Sequence, residues 1–246
     1  YVVHSETILY RPGYEEFKRL QGSSDFFYFL HSAGELNEGK TVNIDKRRIY
    51  IDLTENRVYT VNNQYAGNSV GLKKLAFRLA IQKANREDWL AEHMFLMGVH
   101  GKPGRVTYFA GAFPSACGKT STAMLPGQTI VGDDIAYLRN INGRLKAVNV
   151  EKGIFGIIQD VNPSDDPLIY EALTTPREVI FSNVLVHDGK PYWLGMGQEV
   201  PDSGINYSGE WYKGKKDERG REISYAHKNA RYTIALRELG NADENL

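Results

Sequence analysis

Only one cysteine, Cys117, occurs in the 246 residues. A lone thiol excludes any disulfide within the chain and gives no sign of an oxidising compartment. No charge of one sign predominates, because 30 Lys and Arg balance 30 Asp and Glu. That removes the overall electrostatic reason to expect nucleic acid or a membrane surface as a partner. No apolar run approaches the roughly 20 residues that span a bilayer as a helix. Internal repeats and low-complexity tracts are missing as well. So is an initiating methionine: the chain opens at Tyr1, which makes it readable as a fragment and makes the lack of a signal peptide uninformative. What is there is a chain that is 41% hydrophobic, enough for one large domain or two smaller ones.

The pattern along the chain mixes periods. "YEEFKRL" has helical polarity. "RRIYIDLTENRVYTVNN" predicts a hairpin around Thr54-Glu55-Asn56. "VGLKKLAFRLAIQKANRED" puts Leu72, Leu75, Ala76, Leu79, Ala80 and Ala84 on one face at helical spacing. "WLAEHMFLMGV" is mostly apolar and reads as a buried strand or a short helix. "RVTYFAGA" reads as a central strand. "QTIVGDDIAYLRNINGRLKAVNV" gives strand, Asn-Gly turn, strand. "PLIYEALTT" predicts a short helix, and "EVIFSNVLVHDGKPYWLGM" a hairpin turning at Asp188-Gly189. From Gly195 to Gly220 the residues are Gly, Lys, Asp and Glu-rich, as in an exposed loop. Hairpins mixed with helices imply α/β with mixed β-sheets and flanking helices, rather than a strictly alternating doubly wound fold.

"AFPSACGKTSTAML", residues 112–125, carries the chemistry. A strand, a small-residue loop, Gly-Lys-Thr and a helix make the context of a phosphate-binding loop. Gly118 lets the backbone approach an anion, and the helix N-terminus attracts it. Lys119 can reach phosphate oxygens and the Thr120 hydroxyl can hold magnesium. The usual first glycine is replaced by Phe113, so an ordinary strand-to-helix turn stays open as the plainer alternative. Cys117 sits at a helix start beside a lysine, where a thiol reacts faster than usual; a small buried apolar residue is the alternative. Downstream, Asp133 and Asp134 end an apolar strand, a place from which an acid holds a nucleotide's magnesium. Neighbours on a strand face opposite ways, so the two need not share a job, and a turn acid pair is the alternative. His93, among apolar residues, reads as a core histidine or a metal ligand. Lys73 and Lys74, early in a predicted helix, read as solvated lysines or, if one is neutral, as a ligand.

"YAGNSVGLKKLAFRLA", "WLAEHM", "AFPSACGKT", "VGDDIAYL" and "AHKNARY" follow in this order. Together they closely resemble the GTP-dependent phosphoenolpyruvate carboxykinase family, over most of the chain and most strongly from Tyr65 to Leu138. Phe113 in the first-glycine position is characteristic of this branch. "GIFGIIQDVNPSDDPLIYEALTTP" looks more like archaeal members than animal ones. The resemblance implies a phosphate-loop carboxykinase-type fold, with residues 1–88 ending the N-terminal substrate domain and 89–246 starting the nucleotide-binding domain. It implies reversible conversion of oxaloacetate and GTP to phosphoenolpyruvate, GDP and carbon dioxide, in gluconeogenesis or anaplerosis, in the cytoplasm, by a monomer without nucleic-acid or membrane partners. A phosphate-loop small-molecule kinase and a non-catalytic nucleotide-binding fragment are the competing readings.

What the family implies maps onto single positions. Lys74, His93 and Asp134 match the ligands of a catalytic manganese. Tyr65 matches the tyrosine beside the substrate carboxylate, with Gly67 and Asn68 in the same substrate-binding stretch. Ser115 matches the loop serine that contacts substrate. Ala116, Cys117, Gly118, Lys119, Thr120 and Ser121 match the nucleotide loop, Thr120 holding the nucleotide's magnesium and Asp133 orienting it through water. Asn229 and Arg231 match residues near the substrate and the transferred phosphoryl group. Lys74, Ser115, Cys117 and Arg231 are thus the residues implied at the chemistry, Cys117 as reactive but not essential. The departures are "FGIIQDVN" in place of "FGVAPGTS"-like wording, and the family's remaining substrate arginines, guanine pocket and lid, which fall outside residues 1–246. Activity of this stretch alone is therefore not implied.

Overall fold

A computed structural model describes residues 18–20, 22–23, 28–37, 40–63, 69–102, 104–114 and 117–246. Most of the helical "YEEFKRL" stretch lies outside them, as do Tyr65, Gly67, Asn68, Ser115 and Ala116. The described residues form two compact units, one running to Glu92 and including Ile135–Lys152, the other made of His93–Asp134 and Gly153–Leu246. Both are mixed α/β and dominated by sheets; helices are few. No helix among the described residues is long and apolar enough to cross a membrane.

Strands are numbered along the chain. In the first unit, β1 (Tyr28–His31) runs parallel to β5 (Arg57–Val61), which pairs antiparallel with β4 (Arg48–Asp52). The β4–β5 hairpin follows from its sequence. Asp52 Oδ1 accepts from the backbone N–H of Thr54 (2.9 Å) and Glu55 (3.0 Å), and Asn56 turns the chain at φ 52°. β2 (Leu36–Asn37) and β3 (Lys40–Thr41) form a separate pair. Helix α1 (Ser69–Arg86) buries Leu75, Ala76, Phe77, Leu79, Ala80 and Ala84. Leu75 and Leu79 meet Val58 of β5, while Ala76, Phe77, Ala80 and Ala84 pack with Ala91, Ile135 and Val150. The helix ends without glycine: Asp88 takes the left-handed conformation (φ 57°), and Trp89 N–H bonds back to Ala84 O at 3.1 Å. β6 (Leu90–Glu92), β10 (Ala136–Ile141) and β11 (Arg144–Asn149) complete this unit in the order β11-β10-β6, all antiparallel. Asn142 (φ 54°) and Gly143 (φ 76°) make the β10–β11 turn, as the Asn-Gly signal requires.

In the second unit, β7 (Met94–His100) lies between β8 (Val106–Ala112) and β9 (Thr129–Gly132), antiparallel to both. β8 is thus an edge strand among the described residues, not the central strand its apolar sequence suggested. Tyr108 and Phe109 stay exposed. β12 (Gly153–Ile157), β18 (Arg231–Ala235) and β13 (Val179–Ser182) form a second antiparallel sheet with β18 in the middle. β14 (Leu185–His187) and β15 (Lys190–Tyr192) turn at Asp188-Gly189, both at positive φ, as expected. β16 (Ser203–Asn206) and β17 (Gly209–Tyr212) join them in the order β15-β14-β16-β17. These last two strands correct the expected loop over 195–220. Its polar composition concealed a hairpin in "SGINYSGEWY", anchored by buried Trp211, whose Nε1 donates to Ile223 O at 2.8 Å. One apolar cluster unites Phe95, Met97, Ala123, Met124, Ile130, Ile154, Trp193, Tyr232 and Ile234 with the short helices α2 (Lys119–Ala123) and α3 (Pro167–Thr174).

Two apolar runs are each divided between sheets. "WLAEHMFLMGV" becomes β6 and β7, and "TIVGDDIAYL" becomes β9 and β10, members of different sheets. His93 sits at the first break and Asp133-Asp134 at the second.

Candidate functional site

The hydrophobic run of β8 brings the chain to Phe113, whose ring meets Phe95 edge-on, 5.5 Å between centroids and 78° between planes. Packing therefore explains a large residue where a first loop glycine was expected. Gly111, facing Phe95 across the β7–β8 pair, has no room for a side chain: an added Cβ would lie 2.4 Å from that ring. Gly118 then turns at φ 82° and caps α2, accepting at its carbonyl from Thr122 N–H and from Thr122 Oγ1, each at 2.8 Å. Glycine is the residue that reaches this conformation without steric cost. Cys117, one residue earlier, is exposed, which removes the alternative that it is a buried apolar filler.

From α2 the side chains of Lys119 and Thr120 reach back to the break after β9. The Lys119 ammonium pairs with the Asp134 carboxylate and also donates to Asp134 O at 3.1 Å. Thr120 Oγ1 donates to Asp133 Oδ2 at 3.2 Å. The two acids thus take different partners, one loop residue each. Asp133 is buried, whereas Asp134 is partly open. His93 Nε2 lies 4.0 Å from Asp134 Oδ2, and nearly half of its side chain is exposed (46%). That excludes a satisfied core histidine. Among the described residues no group of three or more His, Cys, Asp and Glu side chains gathers as a metal cluster. His93 and Asp134 supply two donors, an imidazole nitrogen and a carboxylate oxygen, from a partly open place.

Two residues of this neighbourhood, Asp166 and Tyr232, were not singled out in the sequence. Ser121 Oγ donates to Asp166 Oδ1 at 3.0 Å, tying α2 to the residue that precedes α3. Tyr232 of β18 is fully buried. Burial raises the pKa of its phenol, and the charges of Asp133 and Asp166 raise it further. The available signals were weak: an Asp before Pro167 at a helix start, and an aromatic residue at a strand centre.

Asn229 and Arg231 lie at the entry to β18. Arg231 Nε donates to Asn229 Oδ1 at 2.9 Å, and its guanidinium sits 5.4 Å above the Phe155 ring. Burial pulls the arginine pKa below its ordinary value. The loop before them is held by Asn229 N–H on His227 Nδ1 (3.0 Å). Lys74 belongs to the first unit and is exposed on α1, whereas Lys73 is buried; solvation of both lysines, the plainer expectation, holds for Lys74 only.

A left-handed glycine opening a helix, a lysine on an acid at a strand end, and a hydroxyl on the neighbouring acid define a phosphate-loop protein. Comparison with known proteins narrows this. The model of the phosphoenolpyruvate carboxykinase C-terminal P-loop domain matches residues 89–246, and that of the phosphoenolpyruvate carboxykinase N-terminal domain matches residues 1–85. The chain belongs to the phosphoenolpyruvate carboxykinase family. It is 63% identical over 244 residues to a Thermococcus kodakarensis protein, 61% over 245 to one from Pyrococcus abyssi, and 37% over 245 to one from Anaeromyxobacter dehalogenans. Each of these is named phosphoenolpyruvate carboxykinase (GTP). The matches cover 99%, 99% and 95% of this chain but only 39%, 40% and 39% of those relatives. The chain spans about two fifths of the length of the curated relatives it matches.

Proposed function

We propose that the protein containing this chain converts oxaloacetate and GTP to phosphoenolpyruvate, GDP and carbon dioxide, as a decarboxylating phosphotransferase. The observation that carries this reading is the meeting of Lys119, Asp134 and His93 at the start of α2, beside Thr120 on Asp133. A phosphate loop alone would serve a kinase. A histidine beside the loop's own acid adds what a decarboxylation needs, a second place for a cation.

The donor set fits a divalent ion. Imidazole nitrogen and carboxylate oxygen suit manganese and related ions, and Lys74 is the third ligand that the resemblance supplies. When bound there, the metal supplies Lewis-acid stabilisation of negative charge on substrate oxygens. The residues of the chain do the rest. Gly118 and the first turn of α2 offer backbone N–H groups to phosphate oxygens. Lys119 places a positive charge at the β- and γ-phosphates, and Arg231, steadied by Asn229, offers a planar donor to the group in transfer. Thr120 and Asp133 orient the magnesium that travels with the nucleotide. Ser115, Ala116, Ser121, Tyr65, Gly67 and Asn68 take the nucleotide-loop and substrate roles set out from the resemblance. No side-chain nucleophile is required, so Cys117 neighbours the reaction without performing it. The same reading includes small-molecule substrates only, a monomer and a cytoplasmic location. It also sets residues 1–88 in the end of an N-terminal domain and 89–246 in the start of a nucleotide-binding domain, a division supported by the residues the two family models match.

The test is made on the full-length protein. Manganese-dependent decarboxylation of oxaloacetate, with and without GTP, separates this activity from a hydroxyl kinase and from a non-catalytic module. Lys119→Ala should cut phosphoryl transfer strongly and spare metal-assisted pyruvate formation more; equal loss of both would count against the division of labour. His93→Ala should lower both. Phosphorylation of a hydroxyl substrate with His93 dispensable would sink the proposal.

A further inference from the structure

The turn that leads into β18 is organised around one imidazole. His227 N–H donates to Asn183 O at 3.0 Å, and Ala230 N–H closes the turn on His227 O at 2.9 Å. Between them, Asn229 N–H donates to His227 Nδ1 at 3.0 Å. A backbone N–H can only donate, so this ring nitrogen supplies a lone pair, and the neutral ring keeps its proton on Nε2. The bond runs from a side chain to the amide two residues on, the pattern that asparagine and aspartate make in Asx turns. Asn206 makes it in this protein, accepting from Ser208 N–H at 2.8 Å. At position 227 an imidazole does the same and also meets the Tyr207 ring edge-on, 5.2 Å between centroids.

After the turn the backbone is anchored on both sides. Ala230 O accepts from Ile158 N–H at 3.0 Å, and Arg231 pairs with Ile157 of β12 and Ser182 of β13. Asn229 is the exposed link between this anchored strand and the imidazole. Its side-chain oxygen takes Arg231 Nε at 2.9 Å, and Phe155 lies against the guanidinium face. A guanidinium has two useful edges: Nε with one terminal nitrogen, or the two terminal nitrogens together. With Nε engaged, the end-on edge is the one presented for bidentate contact with phosphoryl oxygens. Its direction follows the Asn229 side chain, which follows the backbone that His227 holds.

We propose that His227 is a positioning residue: by accepting the Asn229 N–H at Nδ1, it fixes the turn from which Asn229 aims Arg231 at the phosphoryl group in transfer. This rests on the reading of Arg231 as a donor to that group. Every residue of the relay falls within 153–246, inside one compact unit. His227 acts through Asn229 and needs no contact with substrate. Displacing a positioning group by about 1 Å can cost about 100-fold in rate.

The experiment uses the full-length protein and follows phosphoenolpyruvate formation from oxaloacetate and GTP. His227→Ala should lower kcat about 10–100-fold, while GDP, which lacks the group in transfer, binds within about twofold of the parent. The decisive comparison is His227→Asn against His227→Gln. Both remove the ring and its contact with Tyr207. Asparagine puts an acceptor oxygen where Nδ1 stands and makes the Asx turn, whereas glutamine carries its oxygen out toward the place of Nε2. His227→Asn should therefore recover most of kcat, and His227→Gln should not. Should His227→Ala fail to fold, the Asn and Gln pair is read alone. A folded His227→Ala with kcat within about twofold of the parent overturns the proposal, and so does an Asn variant no better than the Gln variant. Arg231→Ala separates this inference from the reading beneath it. If that variant keeps its kcat, the reading of Arg231 falls and the proposal with it; if it loses kcat while His227→Ala does not, the positioning role alone is refuted.

Discussion

Gly118 can be tested against its own backbone. At φ 82° it occupies the left-handed region, and no described atom lies within 4 Å of a Cβ built on it. Crowding inside the protein is therefore not the reason for glycine. In Gly118→Ala the penalty is conformational, about 1–2 kcal/mol for holding a residue with a Cβ in that region. Alanine also stiffens the unfolded chain, which offsets about 0.4–1 kcal/mol. The expected net loss is about 1 kcal/mol, or about 2–4 °C in the unfolding midpoint for a domain of this size. Asparagine tolerates the left-handed region better, so Gly118→Asn should lose less, and β-branched Gly118→Val more. Scanning calorimetry on the three variants checks the order Gly, Asn, Ala, Val. Nucleotide binding should weaken beyond the stability loss, because the open space beside Gly118 is where an anion would meet the new methyl group. An alanine variant as stable as the parent would refute the left-handed loop, and one that also binds GTP normally would remove the phosphate site from this turn.

Three other outcomes follow from contacts described above. Burial and the Glu151 charge push the Tyr137 phenol up to about 12 from 10.0. Its neutral form is favoured in the folded protein, so this stability is fully present below about pH 10 and is lost as pH rises to about 12; Tyr137→Phe should flatten that part of the alkaline unfolding curve, worth about 2–3 kcal/mol. Trp193 is fully buried and its Nε1 donates to Val161 O at 2.8 Å, so Trp193→Ala should lower unfolding free energy by about 3–5 kcal/mol, read by denaturant titration. Exposed Cys117 should be alkylated more slowly when GTP is bound, while Cys117→Ser keeps substantial activity; a nearly inactive serine variant with normal metal and nucleotide binding would reveal a role for sulfur.

How far the sequence could be read depended on the range of the interaction. Asn142-Gly143 and Asp188-Gly189 are two-residue devices that force a left-handed turn by themselves, so both hairpins were legible. The apolar face of α1 repeats from Leu75 to Ala84, about three turns, and was legible for the same reason. The break at His93 was not; at Asp133-Asp134 the strand end was legible but the passage to another sheet was not, because apolar strands look alike whichever sheet receives them. Lys73 and Lys74 are neighbours with the same chemistry. Only a glutamate near the far end of a hairpin separates their fates. The Gly-Lys-Thr loop was visible as a spelling, but the partner of Lys119 lies 15 residues away and is chosen by the β9 geometry. Phe113 looked anomalous until Phe95 accounted for it.

Lys119 and Asp134 occupy one another. Each thereby uses the group it would present to a ligand of opposite charge. In the carboxykinase reading, whatever engages the Asp134 carboxylate releases the Lys119 ammonium, and whatever draws Lys119 away uncovers the carboxylate. Cation and nucleotide are then linked through a shared internal bond. The linkage is reciprocal: the factor by which manganese tightens GTP equals the factor by which GTP tightens manganese. Lys119→Met would remove the ammonium from Asp134 permanently. Manganese should then bind more tightly on its own, and the shared factor should shrink toward one.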